Sequence, residues 1–315
     1  MRPFRRMMQA RPAAANRADD WLADETEMRA VPPSDTDPRI TQWTEPHMVF
    51  RGTSVAPIGH LVVFLAGSLG FPTRQTLFPR LAASMGYHVI NLRYANSIPI
   101  GAVCRGSTDP HCHEKARLHI AEGLNSGLLP DVREQDCILS RLTRLLGFLS
   151  TNHPGEGWDM FCPTFGLAWD RILVAGHSQG GGHAALLGKR YACRRILMFA
   201  APVDDDGISG QSAAWLSAPG RTAPERFFGF VHTNDPGFDR ILNAWEALGL
   251  AGFGGPVNVD KSMPPYANSH QLVTARPALR DRFHASVATD GPTPRDANDA
   301  PLFEPVWRWM LESAT

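Results

Sequence analysis

Apolar and polar positions along this chain alternate between two kinds of pattern. Residues 60–66 (HLVVFLA) form a short continuous apolar run that ends at Gly67, the pattern of a strand buried on both faces. Gly67-Ser68-Leu69-Gly70 follows, and residues 73–85 then place Leu77, Leu81, Ala82 and Met85 at helical spacing before Gly86. Residues 87–92 (YHVINL) predict a second strand. Strand, glycine loop, helix and strand in that order imply a parallel sheet. Residues 131–149 return to helical spacing through Val132, Ile138, Leu142, Leu145 and Leu149. Further strands are predicted at 171–176 (RILVAG), 195–200 (RILMFA), 226–232 (RFFGFVH) and 257–259. Helices are predicted at 178–190, 238–250 and 302–311. The reading is an α/β domain over 46–315, with a mostly parallel central sheet flanked by helices.

Three stretches break the rhythm. Residues 1–45 are rich in Ala, Arg, Asp and Pro, with a breaker cluster Val31-Pro32-Pro33-Ser34-Asp35, and read as a poorly ordered arm. Residues 96–130 and 202–225 read as two insertions placed as lids or caps over the sheet. Residues 152–165 read as a long loop.

Composition narrows the function classes. Of 315 residues, 43% are apolar and 20% charged, with 31 basic against 31 acidic side chains. That is ordinary for a globular protein. A zero formal charge gives no field to gather nucleic acid or an anionic membrane. Arg2, Arg5, Arg6 and Arg11 open the chain, but no apolar stretch of about 7–15 residues follows, as a secretory signal requires. No run approaches the roughly 20 apolar residues of a membrane span. The chain as given reads as cytoplasmic. The alternative is periplasmic or secreted, with a signal segment missing, if Cys104 and Cys112 form a disulfide across the loop between them. The five cysteines lack zinc-site spacing, and His111, Cys112, His113 and His119 match no standard structural metal site. No metal and no cofactor is expected.

The chemistry concentrates in Gly176-His177-Ser178-Gln179-Gly180, followed by Gly181 and Gly182. This fits the G-x-S-x-G nucleophile elbow, where a strand turns sharply into a helix and holds a strained serine at the apex. The flanks fit too: RILVAG before it and an Ala/Leu/Gly helix after it. Read in order, HLVVFLAGSLG, RILVAGHSQGGG, RILMFAAPVDD, FVHTND and ANSHQLV resemble the α/β-hydrolase superfamily. The resemblance runs from about Val49 onward and implies an α/β-hydrolase fold. It implies a catalytic triad of Ser178 as nucleophile, Asp235 as acid after the strand at 226–232, and His270 as base in a loop after the last short strand. His284 is the second choice for the base, and His232 reads as structural. Asp239 is a nearby alternative acid, and Asp204, Asp205 and Asp206 occupy the other acid position used in the superfamily. The oxyanion hole is expected from the backbone N–H groups of Gln179 and Ser68, with Leu69 as the alternative to Ser68. In the superfamily's H-G-x-x-G loop a histidine precedes Gly67; here Ala66 stands there.

The expected activity is hydrolysis of a small-molecule carboxylic ester through an acyl-enzyme. An amidase, thioesterase or acyltransferase with the same triad, or a catalytically silent binding scaffold of the same fold, are the alternatives. A nucleotide-binding reading would need a G-x-G-x-x-G or G-x-x-x-x-G-K-[ST] loop after the first strand, and Gly67-Ser68-Leu69-Gly70 is neither.

Overall fold

The computed structural model describes residues 21–164 and 166–312. The elements are, in order, β1 (Thr26–Val31), α1 (Pro33–Thr36), β2 (His47–Gly52), β3 (Leu61–Leu65), α2 (Leu77–Ser84), β4 (His88–Leu92), α3 (Ile100–Val103), α4 (Cys112–Glu122) and α5 (Ile138–Asn152). Then come β5 (Ile172–His177), α6 (Gln179–Arg190), β6 (Arg195–Phe199), α7 (Ala214–Ser217), β7 (Phe227–His232), α8 (Phe238–Ala247), β8 (Val257–Asn258), β9 (Gln271–Thr274), α9 (Phe283–Ser286) and α10 (Glu304–Glu312). The described strands form one sheet in the order β1-β2-β4-β3-β5-β6-β7-β9-β8. β1 and β2 are antiparallel to their neighbours, and every pairing from β4 to β8 is parallel. This is the mostly parallel central sheet that the order of strands and helices implies.

Every residue of β3, β4, β5, β6 and β7 is buried, because helices cover both faces. The chain steps from β3 to β4 in one direction and from β4 through β5 and β6 in the other. Right-handed crossovers therefore put α2 on one face and α5 and α6 on the other. α10 returns to pack on α2, while α4 packs on α5 and α6. Phe64, Phe78, Phe199 and Trp307 interlock at ring distances of 5.1–6.2 Å and join β3, α2, β6 and α10.

Two expectations change. The sequence places 1–45 in a poorly ordered arm. Residues 1–20 lie outside the described residues, but from residue 21 the chain is built into the fold. β1 pairs along its length with β2, Thr26 to Gly52 through Val31 to His47. Its sequence, TEMRAV, mixes polar and apolar positions because it is an edge strand, and its hold comes from afar. Arg29, together with Arg51 of β2, ion-pairs with Glu156 in the connection after α5. The proline cluster does break the strand, and its second proline starts α1.

The stretch 96–130 is also more regular than an insertion laid over the sheet. It forms α3, a disulfide between Cys104 and Cys112 with Cα atoms 5.7 Å apart, and α4, whose Ala116, Arg117, Ile120 and Ala121 are buried. The same folding engages two of the four metal-type side chains at 111–119. Cys112 is in the disulfide, and His119 bonds Ser126 and the Val132 carbonyl. Among the described residues no helix is long and apolar enough to cross a membrane.

Candidate active site

β5 delivers the elbow. Ser178 follows its last residue at φ 54° and ψ −120°, a backbone conformation that costs a non-glycine residue about 1–3 kcal/mol unless its surroundings fix it. They do so here. Ser178 N–H donates to the Phe199 carbonyl at 2.8 Å, and Gly182 N–H donates to the Ser178 carbonyl at 3.1 Å. The turn is possible only because strand and helix nearly touch. A Cβ on Gly180 would stand 2.0 Å from the Leu65 carbonyl oxygen, and one on Gly176 would stand 2.3 Å from Gly180. Ser178 itself stays partly accessible.

The acid is placed by β7. Asp235 lies in the turn after that strand with its side chain buried. Its Oδ1 accepts Gly237 N–H at 2.7 Å, and its Oδ2 accepts from Nδ1 of His284 at 2.7 Å. His284 is carried by α9, in the segment after β9, and its side chain is 39% exposed. Four contacts hold this segment against the elbow and against β7. Nε2 of His177 bonds the His284 carbonyl at 2.9 Å, and the two rings lie 5.0 Å apart. Nε2 of His232 bonds the Arg276 carbonyl at 2.7 Å, and the Phe283 ring packs 4.5 Å from His232. Burial, followed by the nearby His284 charge, lowers His177 to about 3. It is therefore the neutral ring, with Nε2–H as donor to that carbonyl.

The expected base, His270, is not brought to the site. The sequence takes 267–273 as a loop, but Gln271–Thr274 is the parallel strand β9. His270 therefore sits at the start of a strand, at the edge of the sheet opposite Ser178. Register runs His177 to Phe199 to Phe230 to Leu272, so His270 lies two residues behind the elbow's level. It is also three strands across, roughly 14 Å at about 4.8 Å per strand spacing. Its ring is stacked between Phe228 at 4.0 Å and Phe253 at 4.3 Å, and its Nδ1 bonds the Phe227 carbonyl at 3.0 Å. Burial lowers it to about 4. His284 falls where the rule pointed, after the last strand, once β9 is counted. Of the alternative acids, Asp239 is exposed on α8, and Asp204 is buried in an ion pair with Arg117.

The loop after β3 lies directly on the elbow: a Cβ on Gly67 would stand 3.1 Å from Ser178 Cβ. Ser68 N–H has no backbone partner among the described residues, and Gln179 N–H belongs to the unpaired first turn of α6. Ser68 Oγ donates to Gln179 Oε1 at 2.7 Å and ties these two residues together. Leu69 cannot serve, because its N–H donates to the Asn96 carbonyl at 2.9 Å and its side chain points to solvent. Two residues beyond β4, missed in the sequence, pin this loop. Tyr94 Oη donates to the Ala66 carbonyl at 2.6 Å. Asn96 Nδ2 donates to the carbonyls of Gly67 at 2.7 Å and Gly70 at 2.9 Å, while its Oδ1 accepts from Arg93. A polar pair directly after a buried strand is the one sequence signal that marks them.

Among the described residues, no group of three or more His, Cys, Asp or Glu side chains has the geometry to hold a metal ion. No family model matches the chain, and no curated protein matches it. Among solved structures it is similar to a protein described as a dienelactone hydrolase from Klebsiella pneumoniae, at 13% identity over 83% of this chain and 88% of that one, TM-score 0.40. It is similar to esterase B from Lactobacillus rhamnosis inhibited by a C4-C4 tributyrin phosphonate, at 13% identity over 82% and 79%, TM-score 0.44. It is also similar to a hormone-sensitive lipase from a metagenome library, at 14% identity over 73% and 72%, TM-score 0.39. At such distances these likenesses assign no role to any residue.

Proposed function

We propose that the chain is a serine hydrolase that cleaves a carboxylic ester through an acyl-enzyme, with Ser178, His284 and Asp235 as its triad. One observation carries the reading. A carboxylate–imidazole pair at 2.7 Å, Asp235 to His284, is bound to the elbow that holds Ser178 in a strained conformation. With Nδ1–H given to Asp235, the His284 Nε2 is left basic. It takes the proton as Ser178 Oγ attacks the ester carbon, and Asp235 stabilises the imidazolium that forms. The oxyanion rests on the N–H groups of Ser68 and Gln179. Collapse expels the alcohol, which takes its proton from His284. Water then cleaves the acyl-enzyme by the same steps in reverse roles. The scheme needs no cofactor. Substrate choice is assigned to the stretches 96–130 and 202–225, which border this end of the sheet.

The test is hydrolysis of p-nitrophenyl esters from acetate to palmitate by wild type and Ser178→Ala, with fluorophosphonate labelling of both. Activity and labelling that vanish in Ser178→Ala are expected, and the preferred chain length sizes the acyl pocket. Labelling of Ser178 with no ester turnover would move the substrate class to amides or thioesters. Neither turnover nor labelling in the wild type would leave a silent scaffold.

A further inference from the structure

Gln179 is gripped from a second side, by a charged pair that the proposed mechanism leaves unused. Arg117 stands in the middle of α4 with its side chain 3% exposed, and a guanidinium so placed keeps its charge only if its donors are met. Nε and Nη2 meet the two carboxylate oxygens of Asp204 at 2.6 and 2.5 Å, and Nη1 donates to the Gln179 carbonyl at 3.0 Å. Asp204 is itself buried, and Trp215 Nε1 donates to its Oδ2 at 3.2 Å. The room for the guanidinium is made by Gly182, where a Cβ would stand 2.2 Å from Nη2. That accounts for the last glycine of the GHSQGGG run.

Stability is a poor reason for such a pair. Apolar residues of similar volume commonly hold a core as well or better. Its placement is specific instead. The bidentate fork fixes the guanidinium plane, and the remaining nitrogen, Nη1, donates to the main chain of the residue whose N–H is proposed to face the developing oxyanion. Ser68 Oγ holds the same residue by its side chain. The Gln179 N–H shares its peptide plane with the Ser178 carbonyl, which Gly182 N–H holds at 3.1 Å, while Arg117 holds the following peptide plane by the Gln179 carbonyl and Ser68 holds the side chain, so the backbone of Gln179 is fixed on both sides of its Cα.

We infer that Arg117, oriented by Asp204, is a positioning residue for the oxyanion-hole amide of Gln179. This rests on the serine-hydrolase reading above. Its consequence is a loss expressed in the transition state and not in substrate binding. Arg117→Lys keeps the charge but gives up the fork. The double variant Arg117→Met/Asp204→Leu removes both charges and keeps the volume, so that folding is preserved.

The experiment measures kcat, KM and melting temperature for wild type, the lysine variant and the double variant. The ester is the one wild type turns over best, and inhibition by an alkyl boronic acid, whose tetrahedral adduct occupies the hole, is measured beside it. Expected in both variants is a fall in kcat of about 10- to 100-fold, below the roughly 100- to 1000-fold cost of deleting a donor outright. KM should stay within about twofold, and boronate affinity should weaken in step with kcat. A double variant with wild-type melting temperature, kcat and boronate affinity would overturn the inference and leave the pair a packing device. So would a loss shared equally between KM and melting temperature and restored in the double variant. A wild type that fluorophosphonate does not label at Ser178 sinks the hydrolase reading first, and this inference with it.

Discussion

His284, His270, His177 and His232 differ only in what faces their nitrogens, and that decides what each can do. His284 has a carboxylate on Nδ1 and a ring that is partly exposed. His270 has a carbonyl on Nδ1 and an aromatic ring on each face. His284→Gln should therefore lower kcat by about 10³-fold or more, in the range of losing a general base that acts with a nucleophile, at nearly unchanged melting temperature. His270→Phe should keep kcat within about twofold. It should cost about 1–3 kcal/mol in urea unfolding, because the Phe227 carbonyl loses its buried donor. The reverse pattern would restore His270 as the base. Of the proposed site, Ser178, Asp235, Ser68 and Gln179 can be picked out from the sequence because each stands at a fixed offset from a recognisable strand. The histidine was not, since its offset counts from β9, and Gln271–Thr274 is too short and too close to a polar Asn-Ser-His run to read as a strand.

At the scale of elements, β1 is the part of the fold the sequence concealed. A buried parallel strand announces itself as a run of apolar residues, and β3, β5, β6 and β7 were placed to within a residue or so. An edge strand needs one covered face and a partner; β1 has β2 as its strand partner, and Glu156, far along the chain, joins the two through Arg29 and Arg51. Burial raises its carboxyl, but hydrogen bonds from Arg29 and Trp158 and the charge of Arg51 outweigh it and bring it to about 2. A carboxyl lowered in the folded state adds stability that is fully present above its unfolded value near 4.5 and is lost as pH falls through about 2. Wild type should thus lose stability between those values more steeply than Glu156→Gln, which lacks the titrating group. The check is urea unfolding at stepped pH, and parallel curves for the two proteins would remove Glu156 from the acid response. Glu156→Gln should also expose β1 amides to hydrogen exchange before those of β5.

The described strands form one sheet, and the proposed site lies at the carboxyl ends of its parallel strands. The pieces that follow β4 and β6 at that end are the least legible, because α3, α4 and the Asp204–Trp215 stretch take their form from contacts with one another. The disulfide is the local staple among them. In the chain-entropy view, a loop closed across a sequence separation of 8 residues is worth about 2.5 kcal/mol. Cys104→Ser/Cys112→Ser should lower stability by that order, measured by urea unfolding under oxidising conditions. Wild type in reductant should match the variant, and a reductant effect on the variant itself would point to another cause. Cys137 and Cys193 are buried thiols and Cys162 is a half-buried one; burial raises Cys162 and pushes Cys193 up to about 12, so these three are poor partners for exchange. The Cys104–Cys112 bond can therefore stay as it was first made. Intact-mass measurement of freshly drawn protein, short by two hydrogen atoms or not, would then report the surroundings in which each copy of the chain matured, a history written in the molecule's weight.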